Sequence, residues 1–267
     1  MARIRHIIRA LTGREGYSVW NTLWLNYRLF PRPVARCLPL KVGRHLDAKG
    51  LRRGCVTFRE GVVPHKFMCR LGVSAWPLYS NRSMHTYFWF HSGATMILGD
   101  EVDINSGTRI VVTAGATLTL GNHFFVNQNS LLYCSKSISF GDDCTLGWDC
   151  QVCDSDFHLV CDTANGTVAS PTAPVVVDKG VWLANRVSVG KGCTLAPHCI
   201  VASNSVVCKS LETEGALYAG VPAALKRTDV AYITDKKLES RLRRRFSRES
   251  ASCLPLTPEE ISRMMEP

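Results

Sequence analysis

The sequence predicts an all-β chain wound into a parallel β-helix, and three observations carry that expectation. Apolar residues recur with a period of six, a small or β-branched residue follows four positions later, and Gly or Asn recurs where such a coil would turn. From Val177 the apolar series runs through Leu183, Val189, Leu195, Val201 and Val207 without a slip. It runs earlier through Leu98, Ile104 and Ile110, through Leu120, Val126 and Leu132, and through Phe140, Leu146 and Val152. A helix repeats every ~3.6 residues and a half-buried strand alternates, so neither yields a strict six. In a β-helix each hexad is one short strand plus a turn, and three hexads close a triangular coil. One aliphatic side chain per hexad then points at the axis.

The position four after each of these apolar residues also faces inward near a corner, where space is short. Val181, Val187, Cys193, Cys199 and Ser205 occupy it, as do Cys144 and Cys150. This accounts for much of the count of 12 Cys, because a buried free Cys behaves as a small hydrophobe. The nearest approach to a zinc motif is "CQVC" at 150–153 with His158 beyond it, but it lacks a second spaced ligand pair. Structural cysteines in a reducing compartment are expected, with no metal. Corner stretches such as "GDDCT", "GNHFF" and "LANRV" suit turns that need positive φ.

Three regions follow. Residues 1–91 form a flank with an amphipathic helix and early coils, residues 92–227 the β-helix, and residues 228–267 a C-terminal helix and tail. Within the β-helix, residues 159–175 are rich in Thr, Ala, Pro and Gly and are expected to leave the coil as a loop, a common place for a functional site. In the flank, Trp20, Leu23, Trp24 and Tyr27 share one helical face. Packing of that face on the β-helix or a neighbouring subunit is the plain expectation, and peripheral contact with a membrane surface the sharper one.

At 46% hydrophobic and 20% charged residues the chain is globular rather than disordered. No apolar run is long enough to span a bilayer, and the opening residues are too broken by charge for a signal peptide, so a cytoplasmic protein is expected. The net charge of +10 would suit nucleic acid, anionic membrane or phosphorylated ligands. Much of it lies in "RIRHIIR" near the start and "KKLESRLRRRFSR" near the end, which are expected to be solvated helix faces. No nucleic-acid-binding signature accompanies them.

The stretch "DSDFH" at 154–158 holds the most informative polar residues. His158 falls six after Val152, where the hexads stop and the loop begins. A His in an aliphatic axis is costly, so the chain is expected to deviate there and turn the ring into a cleft.

The hexads, "DSDFH" and the closing "AGVPAALKR" (219–227) together resemble the hexapeptide-repeat acyltransferases, left-handed β-helices, over residues 92–227. The resemblance is strongest to O-acetyltransferases of sugars and of surface polysaccharides. "FVNQN" (125–129) looks like the Asn-x-Asn stretch of galactoside and maltose acetyltransferases, and "GWDCQVCDSDFH" like capsule-type members. Three departures stand out: Ala184 and "ASNS" (202–205) replace the usual glycine-bearing turns, and Ser135 replaces an acidic residue.

The resemblance implies a homotrimer with active sites between neighbouring β-helices and acetyl-CoA as co-substrate. It implies His158 as general base, Asn127, Asp154 and Asp156 around the acceptor, and Trp182, Asn185, Ser203, Cys208, Lys209 and Arg227 around acetyl-CoA. A sugar hydroxyl, on a polysaccharide or its precursor, is the implied acceptor. An amino sugar or serine acceptor is the runner-up. Two readings from other classes are a non-catalytic scaffold and a metalloenzyme like the γ-type carbonic anhydrases. The latter needs two His five apart on one chain, and Thr163 stands five after His158.

Overall fold

The computed structural model describes residues 16–73, 84–249 and 252–265. The opening "RIRHIIR" (3–9) lies outside them. Parallel strands of two to five residues wind into a three-faced coil. The first face holds nine strands, from Leu40–Val42 through Phe125–Val126, Thr145–Leu146, Trp182–Leu183 and Ile200–Val201 to Leu217–Ala219, closed by Ala224–Arg227. The second holds seven, from Leu46–Lys49 through Leu131–Cys134, Gln151–Cys153 and Ser188–Val189 to Val206–Val207. The third holds six, from Val56–Phe58 through Ser137–Phe140 and Val175–Val177 to Thr194–Leu195. The coils begin at Leu40, well inside the flank.

The register explains the period of six. Ile104 stacks beside Val126, Leu146, Leu183 and Val201 on the first face. Leu120, Phe140, Val177 and Leu195 stack on the third, and Leu132, Val152, Val189 and Val207 on the second. All are buried in one continuous core. Between faces, the backbone turns through left-handed residues at matched positions, for example Asn129, Asp149, Arg186 and Asn204 at the corner joining the first and second faces.

The corner cysteines do more than fill space. The Cys144 thiol donates to the Asp178 carbonyl and that of Cys150 to the Ala184 carbonyl, both at 3.0 Å. Cys199 does the same to Thr213 at 3.2 Å. Each bond reaches a carbonyl later in the stack that a valine could not satisfy. Burial pushes these thiols up, to about 12 for Cys144 and about 11 for Cys150 and Cys199.

Helix α1 (Val19–Leu29) departs from one expectation, packing of its aromatic face on this chain's own β-helix. It forms, but the face carrying Trp20, Leu23, Trp24 and Tyr27 is exposed, and Thr22, Leu25, Asn26 and Leu29 are buried instead. The first strand of the coil decides this. Among the described residues no strand flanks its outer edge beyond a single bridge between Tyr17 and Gly43, and α1 supplies the remaining partners. Val42 N–H donates to Thr22 Oγ1 (3.0 Å), Leu40 N–H to Asn26 Oδ1 (3.1 Å), and Asn26 Nδ2 donates to the Leu40 carbonyl (2.8 Å). Satisfying a strand edge outweighs burying an aromatic stripe. A short helix α2 (Arg32–Cys37) follows.

After the last coil the chain turns back along the first face, and α3 (Lys236–Glu249) buries Leu238 and Leu242, brings Lys236 to Glu101 and carries its basic run outward, partly paired as Arg243–Glu239 and Arg245–Glu249. The expected tail contains a further helix, α4 (Pro258–Met265). Thr257 caps it reciprocally: Glu260 N–H donates to Thr257 Oγ1 (3.2 Å), and Thr257 N–H to the Glu260 carboxylate (3.0 Å). "TPEE" was the missed signal.

Two outcomes are expected. Leu195→Asp, which places a carboxylate in the aliphatic column, should destabilise the fold by at least about 3 kcal/mol in denaturant unfolding. In thiol titration of the native protein, the exposed Cys37, Cys161, Cys208 and Cys253 should react rapidly. Cys144, Cys150 and Cys199 should react only after denaturation.

Candidate functional site

Between coil strands Gln151–Cys153 on the second face and Val175–Val177 on the third, the chain leaves the coil. Between them residues 154–174 form an arm with its own small hairpin, Cys161–Asp162 against Thr167–Val168. What fixes the arm is its root. The Asp154 side chain is fully buried, and its carboxylate accepts the backbone N–H of Ser135 (2.5 Å) and of Lys136 (2.7 Å). Asp154 is thus an anchor of the corner, not a group open to a substrate. Ser135, at the position where the resemblance has an acid, contributes its N–H to this anchor.

The next acid along holds the arm from the other side. Asp156 pairs with Lys191 Nζ at 2.5 Å, and the same ammonium donates to the Ser170 carbonyl at 2.6 Å. Lys191 thus ties both limbs of the arm to the following coil. Sequence reasoning missed it, yet the signal was there: Val152 pairs with Val189, which sets Lys191 at the same corner as Asp154 one coil on. Phe157 adopts φ 62° and lays its ring edge against Tyr133, centroids 4.5 Å apart.

His158 follows directly. Its side chain is exposed and has no hydrogen-bond partner among the described residues. The chain does deviate from the axis at this point, as the hexad count implied. Neither Asp154 nor Asp156 bonds the ring, so the described residues show no carboxylate orienting it.

The other sequence-predicted residues fall into two groups. Cys208 and Lys209 follow Val207 on the second face, at the corner from which the arm springs, and both are exposed. Asn127, Asn185 and Ser203 lie at the preceding corner, between the first and second faces. Asn127 caps its own turn by accepting Gln128 N–H (2.8 Å). Asn185 packs over Gly147, where an added Cβ would lie 2.5 Å from its Oδ1. Trp182 points outward from the first face beneath Tyr232, ring centroids 5.2 Å apart. Arg227 is exposed at the end of the antiparallel strand closing that face. Within one chain, the width of the second face separates the two groups.

The remaining histidines of the repeat are elsewhere. His123 and His198 occupy matched left-handed positions at the corner between the third and first faces, and His123 faces Asp143 at 3.1 Å. Among the described residues, no group of three His, Cys, Asp or Glu is arranged to hold a metal ion. Cys150 points inward and is spent on the Ala184 carbonyl, so "CQVC" does not converge on a point.

No family model matches the chain. Among solved structures it is similar to the polySia-specific acetyltransferase NeuO, at 17% identity and TM-score 0.56, over 77% of this chain and 81% of that one. That likeness shows the fold, a left-handed parallel β-helix. Weaker likenesses include a hexapeptide-repeat acetyltransferase from Vibrio cholerae O1 biovar eltor in complex with acetyl-CoA, at 22% identity and TM-score 0.36 over 53% and 70% of the two chains. A maltose O-acetyltransferase from Clostridium difficile 630 aligns at 16% identity and TM-score 0.36, over 60% and 81%. At these scores only the first likeness supports the fold.

Asp154→Ala should act on stability. Stranding the two N–H groups it accepts should cost about 2–4 kcal/mol in equilibrium unfolding, and should loosen the arm to limited proteolysis.

Proposed function

We propose that this chain is an acetyl-CoA-dependent O-acetyltransferase acting on a sugar hydroxyl of a surface polysaccharide or its precursor. The observation that carries the proposal is His158. It is an accessible imidazole, unpartnered among the described residues, on the arm that leaves the coil after Val152, and its backbone is braced by Asp154, Asp156 and the Phe157–Tyr133 contact. An alcohol is a weak nucleophile near neutral pH, and imidazole has the basicity to take its proton. His158 would accept the hydroxyl proton as the oxygen attacks the thioester carbonyl. It would return that proton to the sulfur as the C–S bond breaks. The acetyl group passes directly between the two substrates, with proximity supplying much of the acceleration.

The division of residues between two corners supports a site built from more than one copy. Cys208 and Lys209 share a corner with His158, whereas Asn127, Asn185 and Ser203 share the preceding one. In a side-by-side trimer, the arrangement implied by the family resemblance, one copy's His158 corner would face a neighbour's other corner. Acetyl-CoA would lie along the corner coils, with Lys209 and Arg227 exposed to meet its phosphates. The assembly, the cytoplasmic setting and the division of residues 1–91, 92–227 and 228–267 belong to the same proposal. NeuO acts on polySia, which favours a sugar polymer over a free amino acid as acceptor.

His158→Ala should lower acetyl transfer to a sugar acceptor by roughly 10²–10⁴-fold while leaving acetyl-CoA binding by calorimetry unchanged. Activity within a few-fold of wild type would remove His158 from the chemistry. Labelled acetyl-CoA offered with a panel of sugars and amino sugars, read by NMR, separates oxygen from nitrogen acceptors.

A further inference from the structure

Helix α1 turns towards solvent the face its sequence would be expected to bury. Trp20 is 76% exposed, Leu23 40%, Trp24 44% and Tyr27 47%. The stripe sits at one end of the coil. Hydrogen bonds between coils run parallel to the coil axis, so side chains that bond the free edge of the first strand lie beyond the first coil. Thr22 and Asn26 do this. The opposite face of α1 therefore looks away from the stack.

Charge identifies what covers it. Among the described residues of this end, 16–49, six Lys and Arg stand against Asp47 alone. Arg28, Arg32, Arg36 and Arg44 are exposed around the stripe and pair with no carboxylate among the described residues. The Arg28 guanidinium lies 5.5 Å above the Trp24 ring, and Asn21 Nδ2 holds the Arg44 carbonyl against α1 at 3.1 Å. A second copy placed on this end would set like charges face to face. An anionic lipid surface neutralises them, and Trp and Tyr favour the boundary between headgroups and acyl chains.

We propose that this end of the β-helix docks on an anionic phospholipid bilayer. Trp20, Leu23, Trp24 and Tyr27 enter the headgroup boundary, and the surrounding arginines face the lipid phosphates. The inference stands apart from acetyl transfer, because no residue in it belongs to the proposed catalytic set.

The test is co-sedimentation of the full chain with vesicles of phosphatidylcholine and phosphatidylglycerol in equal amounts, with tryptophan emission read alongside. Wild type should sediment with a blue-shifted emission, and pure phosphatidylcholine vesicles should bind it at least tenfold more weakly. Trp20→Ser with Trp24→Ser should lower the partition coefficient at least tenfold and abolish the blue shift. Arg32→Glu with Arg36→Glu should lower partitioning on the anionic vesicles by a similar factor. Melting followed by circular dichroism should be unchanged in both variants, since every altered side chain is exposed. Wild-type protein left in the supernatant overturns the proposal. If the Trp variant then also loses mass in light scattering, a second copy is the occupant. Stripe variants that bind like wild type overturn it equally.

Discussion

The interior of a triangular coil is narrow and dry, and each turn of chain delivers three side chains to it at fixed heights. Hydrogen bonds between coils hold those heights in register, so Leu146 must meet Val126 on one side and Leu183 on the other. No inward position can become polar without facing apolar neighbours above and below. The corner slots carry a second condition. They are too small for a long side chain, and carbonyls pass close by, so a thiol that fills space and donates weakly suits them. Cys144, Cys150 and Cys199 meet both conditions. The arm, the exposed cations at the corners and the two capped ends are all tolerated because this column is continuous.

On the first face the stack would leave a strand edge unpaired at each end, and the chain treats the two differently. At the start, Thr22 and Asn26 of α1 replace the missing strand with side-chain donors and acceptors. At the finish, Ala224–Arg227 reverses direction and pairs antiparallel with Leu217–Ala219. Residues beyond it return along the first face, where Tyr232 covers Trp182. Both devices withhold an edge that would otherwise template pairing with another chain.

The column was legible because its physics is periodic. Every hexad residue named from the sequence is buried, and the break after Val152 fell where the arm leaves. What resisted sequence reasoning was pairing without a period. The spacing of Trp20, Leu23, Trp24 and Tyr27 left open whether that face of α1 would pack on the β-helix or look outward. Two polar residues and a strand edge settled the matter. Lys191 was readable only once Val189 had been aligned with Val152. Asp154 and Asp156 looked alike in "DSDFH", yet one is buried beneath two backbone N–H groups and the other is tied to an ammonium. Spacing located His158 without fixing the duties of the acids beside it.

Those duties bear on how an exposed imidazole could serve as a base. Position must come from the backbone when no side chain orients the ring, and here the backbone is held on both sides. Asp154 fixes the residue four before His158 to the preceding coil, Lys191 fixes Asp156 to the following one, and Phe157 is turned into the left-handed region against Tyr133. The side chains just beyond are apolar and exposed: Phe157 at 55%, Leu159 at 72% and Val160 at 61%. A braced polar group rimmed by exposed apolar surface is suited to an opposing surface that excludes water. Covering that rim would strengthen the electrostatics of proton transfer without moving the ring. On the proposed assembly, the coil supplies the position of His158 and a neighbouring copy supplies its dry surroundings.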